Sequence, residues 1–290
     1  MSVDQPWAGS GPHRGRAGAS NRRPKPHRDR FRWLRFAIVL VVTTISLAPI
    51  AVVVLLALRP GTGSPSHAWV TSANLLSVFR DTPTLRWLGN SLAVTLATVL
   101  VSVAVAAPAG YVLSRGRGRA ISGYAVLLFV IQALPVITSV IPLFILFIKL
   151  HLVDSLVGLV LIYAGASISV ATWMMAAYLD SIPVSLEQAA WLDGASVFGA
   201  FLRVVLPNAL PGILSTAIFT FLVSWNDYLV AVVFIRSQNK YTLALGQQLF
   251  VPDWGPAMAV AVVLMAPPVI LFAALHRFFS VGGIGGAVIG

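Results

Sequence analysis

Six stretches of the chain are apolar over lengths that suit a lipid bilayer: approximately Phe36–Leu58, Leu88–Leu113, Tyr124–Ile148, Leu156–Leu179, Asn208–Ile235 and Ala257–Leu275. A hydrocarbon core about 30 Å thick is crossed by a helix of about 20 residues, whose backbone polar groups are all satisfied within the segment. Asp227 is the one acidic or basic residue inside the six runs. The pattern predicts an all-α, polytopic membrane protein with six transmembrane helices. The first run is longer than the roughly 7–15 apolar residues of a secretory signal, and no small-residue cleavage site follows it, so it reads as a retained span. Prolines at positions 49, 108, 135, 142, 211, 267 and 268 predict kinks, and the carbonyls freed there need neighbouring helices, as in a packed bundle.

The polar stretch from Asp180 to Pro207 separates the fourth and fifth runs. Ser185 stands three residues before Gln188, the spacing of a capping box, which predicts a short helix from about Leu186 that ends at Gly194. Val197, Phe201, Val204 and Val205 have near-helical spacing and predict a second short helix over 196–205, closed by Leu206–Pro207. Ala189, Ala190, Gly194 and Ala195 leave a low surface that another backbone can approach. Residues 1–33 are rich in Gly, Pro, Ser, Arg and His, bury too little apolar surface to order, and read as a disordered basic tail before a membrane domain over 34–290.

Composition narrows the function. Of 290 residues 58% are hydrophobic and only 10% charged, against roughly 25% charged in soluble domains, which excludes an ordinary soluble protein. The net charge of +11 is concentrated in the tail and does not form a folded basic stripe, so nucleic acid is excluded as a partner, whereas anionic membrane lipid suits the tail. The tail and the cluster Arg115, Arg117 and Arg119 place most of the basic residues on one side, which puts both termini in the cytoplasm of a cell-membrane protein. With no cysteine there is no disulfide, thiolate metal site or cysteine nucleophile. No G-x-x-x-x-G-K-[ST] phosphate loop and no Ser-His-Asp or metal-ligand cluster is present, so no catalytic residue, metal or cofactor is assigned.

Two constellations remain. Gln188-Ala189-Ala190, three residues, Gly194, nine residues, Val204, one residue and Leu206-Pro207 closely resemble the EAA loop of bacterial ABC-importer permeases. Asp193-Gly194-Ala195 is similar to the carbohydrate-uptake branch, the smaller permease partner of maltose-type importers. Gly110-Tyr111-Val112-Leu113-Ser114-Arg115, Leu134-Pro135, Ile141-Pro142-Leu143-Phe144, Trp225-Asn226-Asp227 and the terminal Gly285-Gly286-Ala287-Val288-Ile289-Gly290 extend the resemblance. The position of the family's first Glu is held by Gln188, with Glu187 one residue earlier.

The resemblance implies a sugar-importer permease that does no chemistry itself. Its implied partners are a second, different permease, a cytoplasmic P-loop ATPase dimer and an extracytoplasmic solute-binding protein. It implies an ATPase-coupling loop of Glu187, Gln188, Ala189, Ala190, Asp193, Gly194, Ala195, Leu206 and Pro207, in which Glu187 or Asp193 takes over the anionic contact. Trp225, Asn226 and Asp227 are candidate pathway residues. Counted along a continuous helix from Asn208, Asp227 lies roughly 28 Å up the span, where an interfacial or packing role competes with pathway lining. Glycerophosphate-type and amino-sugar solutes are the alternative cargo within the family. A secondary transporter, which needs a coupling-ion site near the midplane, is the alternative outside it.

Overall fold

The computed structural model of the protein describes residues 32–60, 70–250 and 253–279. The chain forms two compact units, Met1–Ala48 and Pro49–Gly290. The first unit contributes the opening of α1 (Arg32–Ala57), an apolar helix with exposed side chains. This helix begins inside the segment expected to be tail. The rest of the basic tail and the Gly-rich terminus lie outside the described residues.

The second unit is helical throughout its described part: α2 (Ala73–Arg80), α3 (Thr84–Arg115), α4 (Arg119–Ala133), α5 (Val136–Lys149), α6 (Leu156–Asp180), α7 (Ser185–Leu192), α8 (Val197–Ala200), α9 (Leu206–Asn208), α10 (Leu210–Trp225), α11 (Leu229–Phe234), α12 (Leu243–Gly246) and α13 (Trp254–Phe279). Among the described residues four helices are long and apolar enough to cross a membrane, or six if each of two bent pairs forms one span. Prolines 49, 108, 142, 267 and 268 lie inside helices that continue past them.

Two expected spans are not continuous helices. The third breaks at Leu134–Pro135, where α4 and α5 meet at 96°. Pro135 holds the residue before it in extended backbone and cannot continue the hydrogen-bond ladder. The fifth bends by 73° between the α8–α9 segment and α10, with Pro211 in the first turn of α10. It then ends as α10 at Trp225, and α11 restarts the helix at Leu229.

The bundle is built on α3, α6 and α10. Along α3 the residues Ser102, Ala106, Gly110 and Ser114, four apart, are all buried. Without a hydrophobic drive between helices in lipid, such small side chains let backbones approach and gain dispersion contact. Ala106 and Ala107 pack there with Ala171, Met175 and Leu179 of α6, and with Phe201 and Val205. At the opposite end of α3, the Trp87 indole N–H donates to the Gln238 carbonyl at 2.9 Å, and the Asn90 amide donates to Tyr241 O at 2.9 Å.

A polar tie closes that end between the α5–α6 loop and the segment after α11. Asp154 has φ of 57° and accepts from the amides of Arg236 (3.0 Å) and Ser237 (2.9 Å), from the Ser237 hydroxyl, and from the Lys240 ammonium at 3.0 Å. Burial alone would raise its carboxyl, but these donors all favour the charged form and hold it well below the usual carboxylate range. A depressed value in the folded state means that the stabilisation is complete above the unfolded value of about 3.9 and is lost only in strong acid, as pH falls through the depressed one. Asp154→Ala is therefore expected to speed hydrogen exchange of the Arg236 and Ser237 amides by about tenfold or more at pH 7. In the wild type the protection of these amides is expected to stay constant between pH 5 and 8.

Candidate functional site

The end of the bundle that carries Arg115 holds the loop expected to couple to an ATPase. After α6 the chain turns through Ser181–Val184, and α7 opens on backbone bonds: Leu186 N–H to Pro183 O, and Glu187 and Gln188 N–H to Val184 O. The expected capping box is absent, because Ser185 is already helical and Val184 stands at the cap with no side-chain bond. The other end follows expectation. Gly194 has φ of 86°, its N–H donates to Trp191 O, and the Ala195 N–H donates to Ala190 O, which together form a Schellman motif that only a residue free of a Cβ adopts cheaply.

Ser196 then caps α8, its hydroxyl accepting from Gly199 N–H at 3.1 Å. The second helix does not stop at Val205. It widens into a π-helical turn over Phe201–Val205, in which Leu206 N–H reaches Phe201 O, and it runs on through Pro207. Pro207 has no N–H and its ring crowds the carbonyl four residues back, so a widened turn directly before it relieves the ladder. Phe201 and Val205 are buried against α3 and α6, with the Phe201 ring 4.9 Å from that of Tyr111, while Val197 points outward and Val204 is half-buried.

Glu187 lies inside the protein, with 0% of its surface exposed. The Arg115 Nε donates to its Oε1 at 2.8 Å and the Tyr111 hydroxyl donates to its Oε2 at 2.7 Å. The same guanidinium donates to Ile182 O at 2.9 Å and to the Ser114 hydroxyl oxygen at 3.1 Å, and Ser114 donates in turn to Asp180. Of the two candidates for an outward anionic contact, Glu187 or Asp193, Glu187 is turned inward onto Arg115 and Asp193 is exposed. Gln188, Ala189, Asp193, Gly194 and Pro207 are exposed, and Ala190, Ala195 and Leu206 are half-buried. Sequence reasoning missed two outward apolar side chains, Leu192 at 90% and Phe198 at 69% exposure, which flank the Gly194 turn. It read Arg115 only as part of the basic cluster and of the family resemblance and gave it no role in the loop, although a cation at the end of an otherwise apolar span was the available signal.

The candidate pathway residues part company. Trp225 is 1% exposed, donates its indole N–H to Leu264 O at 2.9 Å and stacks on Phe221, so it holds α10 to α13. Asn226 is exposed and its amide donates to Leu222 O at 2.9 Å. Asp227 sits in the break of the helix, half-buried, where its Oδ1 accepts from the Tyr163 hydroxyl (3.0 Å) and from the N–H groups of Val230 (3.0 Å) and Ala231 (3.3 Å) at the start of α11. Asp227→Ala leaves three donors without this acceptor and is expected to cost about 3 kcal/mol, whereas Asp227→Asn retains an acceptor and costs about 1 kcal/mol. Thermal unfolding of the variants in lipid nanodiscs, carried out side by side, checks the order.

Comparison with known proteins places this geometry. Residues 102–281 match the family described as binding-protein-dependent transport system inner membrane component. A putative ABC transporter permease of Streptomyces antibioticus is 38% identical over 231 residues, which cover 77% of this chain and 99% of that protein. The sulfoquinovosyl glycerol permease SmoH of Agrobacterium fabrum is 31% identical over 79% of this chain and 81% of its own. The maltodextrin permease MalD of Streptococcus pneumoniae is 29% identical over 72% and 76%. Among solved structures, a chain of a bacterial ABC transporter involved in alginate import aligns with a TM-score of 0.73 at 20% identity, over 88% of this chain and 99% of its own, a likeness of fold. An all-helical, multi-pass membrane architecture, a family match across most of α3 to α13 and an ABC permease relative aligned along nearly its whole length agree: the chain belongs to the binding-protein-dependent transport system inner membrane components, the permeases of ABC transporters.

Proposed function

We propose that this permease serves an ATP-driven importer of a sugar or sugar derivative, forms the translocation path with a second, different permease, and receives the force of ATP hydrolysis from cytoplasmic ATPases through α7–α9. The observation that carries the coupling reading is the pair Leu192 and Phe198, large apolar side chains held out at the tip of a capped helix–turn–helix. Exposed apolar anchors ringed by polar groups such as Gln188 and Asp193 suit a groove on a partner. The sugar reading draws on the relatives that carry sulfoquinovosyl glycerol and maltodextrin. In this reading both termini and Arg115, Arg117 and Arg119 face the cytoplasm, and Asp154 and Lys240 face the solute-binding protein.

Affinity purification of the tagged chain from its native membranes, in mild detergent, tests the proposal. The expected result is recovery of a P-loop ATPase and a second permease with the chain, and ATP-dependent uptake of sugars by the reconstituted complex when its binding protein is added. Recovery of the chain alone, moving solute in liposomes without ATP, overturns it.

A further inference from the structure

The loop is fastened to the membrane helices in two different ways. Its second half is seated by apolar packing, through Phe201 and Val205 against Ala106, Met175 and Leu179. The first half, α7, packs chiefly on α8 and the π-helical turn. Beside it opens a cavity of about 400 Å³, bordered by Tyr111, Arg115, Asp180, Val184, Glu187 and Trp191. The hydrogen bonds that tie α7 directly to α3 converge on the Glu187 carboxylate, from Arg115 and from Tyr111, and the same guanidinium reaches on to Ile182 O and Ser114.

We propose that Arg115 is a positioning residue that locks α7 to the ends of α3 and α6, so that the coupling helix and these two helices move as one body. The inference rests on the reading of α7–α9 as the coupling loop. Arg115 belongs to α3 and reaches Glu187 in α7, Ile182 O in the α6–α7 connection and Ser114, whose hydroxyl holds Asp180 at the end of α6. A planar fork of five donors can serve three partners at once, and a lysine ammonium cannot match that geometry. Tyr111 holds the second oxygen of Glu187 and fixes the orientation of the carboxylate. The neighbouring Arg117 is turned to the Ser114 and Gly116 carbonyls and does not compete for Glu187. Because Glu187 is buried, loss of Arg115 leaves its charge without its ion-pair partner, and α7 gains by swinging toward solvent.

The chain has no cysteine, so a Val101→Cys, Leu192→Cys pair places one spin label on α3 and one on α7 of the full-length chain in nanodiscs. The wild-type background is expected to give one narrow distance distribution. Arg115→Ala and Glu187→Gln are each expected to broaden it by about twofold or more, Arg115→Lys to fall between, and the control Arg119→Ala, at an exposed arginine outside the loop, to leave it unchanged. If Arg115→Ala does not accumulate, Glu187→Gln carries the test, since it keeps the side-chain volume and an acceptor for Tyr111. An unchanged width in Glu187→Gln overturns the proposal. The measurement needs no ATPase, so failure of an ATPase to co-purify with the wild-type chain overturns the coupling reading separately.

Discussion

Leu192→Asp and Phe198→Asp, introduced together, are expected to weaken ATPase binding by at least about 100-fold while the chain stays folded. Apolar anchors that fill a partner's pocket typically carry about 2 kcal/mol or more each, and a buried unpaired carboxylate in their place adds a desolvation cost. Non-additivity between neighbours keeps the expectation below the simple sum. Folding should survive because both side chains are exposed, at 90% and 69%, and neither belongs to the buried clusters that seat the loop. The check is the amount of ATPase retained by the tagged double variant, set against its thermal unfolding temperature. Full retention of the ATPase with both carboxylates in place would remove the proposed docking tip.

Gly110→Val is expected to be the most disruptive single change to the membrane core. A Cβ at this position would lie 2.7 Å from the Met175 Cβ, 2.9 Å from the Ala176 backbone nitrogen and 3.1 Å from the Thr172 carbonyl oxygen. Two of these three are main-chain atoms of α6, so no side-chain rotation relieves the clash, and α3 and α6 must separate along the seam that Ala106, Ala107 and Met175 close. Overpacking of this kind costs about 3 kcal/mol, and the smaller Gly110→Ala falls nearer 1 kcal/mol. Gly165→Ala is the matched control, because a Cβ there meets nothing within 4 Å, and removing a helical glycine is neutral or stabilising by about 0.5 kcal/mol. Unfolding temperatures of the three variants in nanodiscs should rank in that order. Equal values for Gly110→Val and the wild type would mean that α3 and α6 are not held this closely.

The α7–α9 loop shows where local chemistry suffices. Gly194 could be read as the end of α7 because a left-handed residue after a helix is nearly always the one without a side chain, and the Schellman bonds form there. The start of α7 could not be read the same way. Ser185 and Gln188 have the spacing of a capping box, yet the helix begins on the backbone of Pro183 and Val184. The neighbouring Glu187 is turned inward by Arg115, which lies 72 residues earlier in the chain. An adjacent pair Glu187-Gln188 offers two candidate outward groups, and only the position of α3 decides between them.

The broken fifth span carries the same lesson at a larger scale. An apolar run from Asn208 to Ile235 satisfies every criterion of length and composition, and a helix interrupted at Asn226–Tyr228 satisfies them equally. The break is stable because Asp227 accepts from the first-turn amides of α11 and from Tyr163 of α6, and because Trp225 anchors the end of α10 to the Leu264 carbonyl in α13. The partners at Tyr163 and Leu264 are distant in sequence, so no local pattern announces them.

By itself the amino-acid sequence determined that this is a helical, multi-pass membrane protein, where its apolar segments lie and where the α7–α9 loop turns at Gly194. These follow from the cost of unsatisfied backbone groups in lipid and from the conformational freedom of one glycine, both of which act locally. Only the tertiary structure decided which residues of that loop face inward, which spans are broken and which helices lie close enough to exclude a methyl group. Those outcomes depend on hydrogen-bond partners and backbone approaches between segments tens of residues apart, and such distances exist only once the chain is folded.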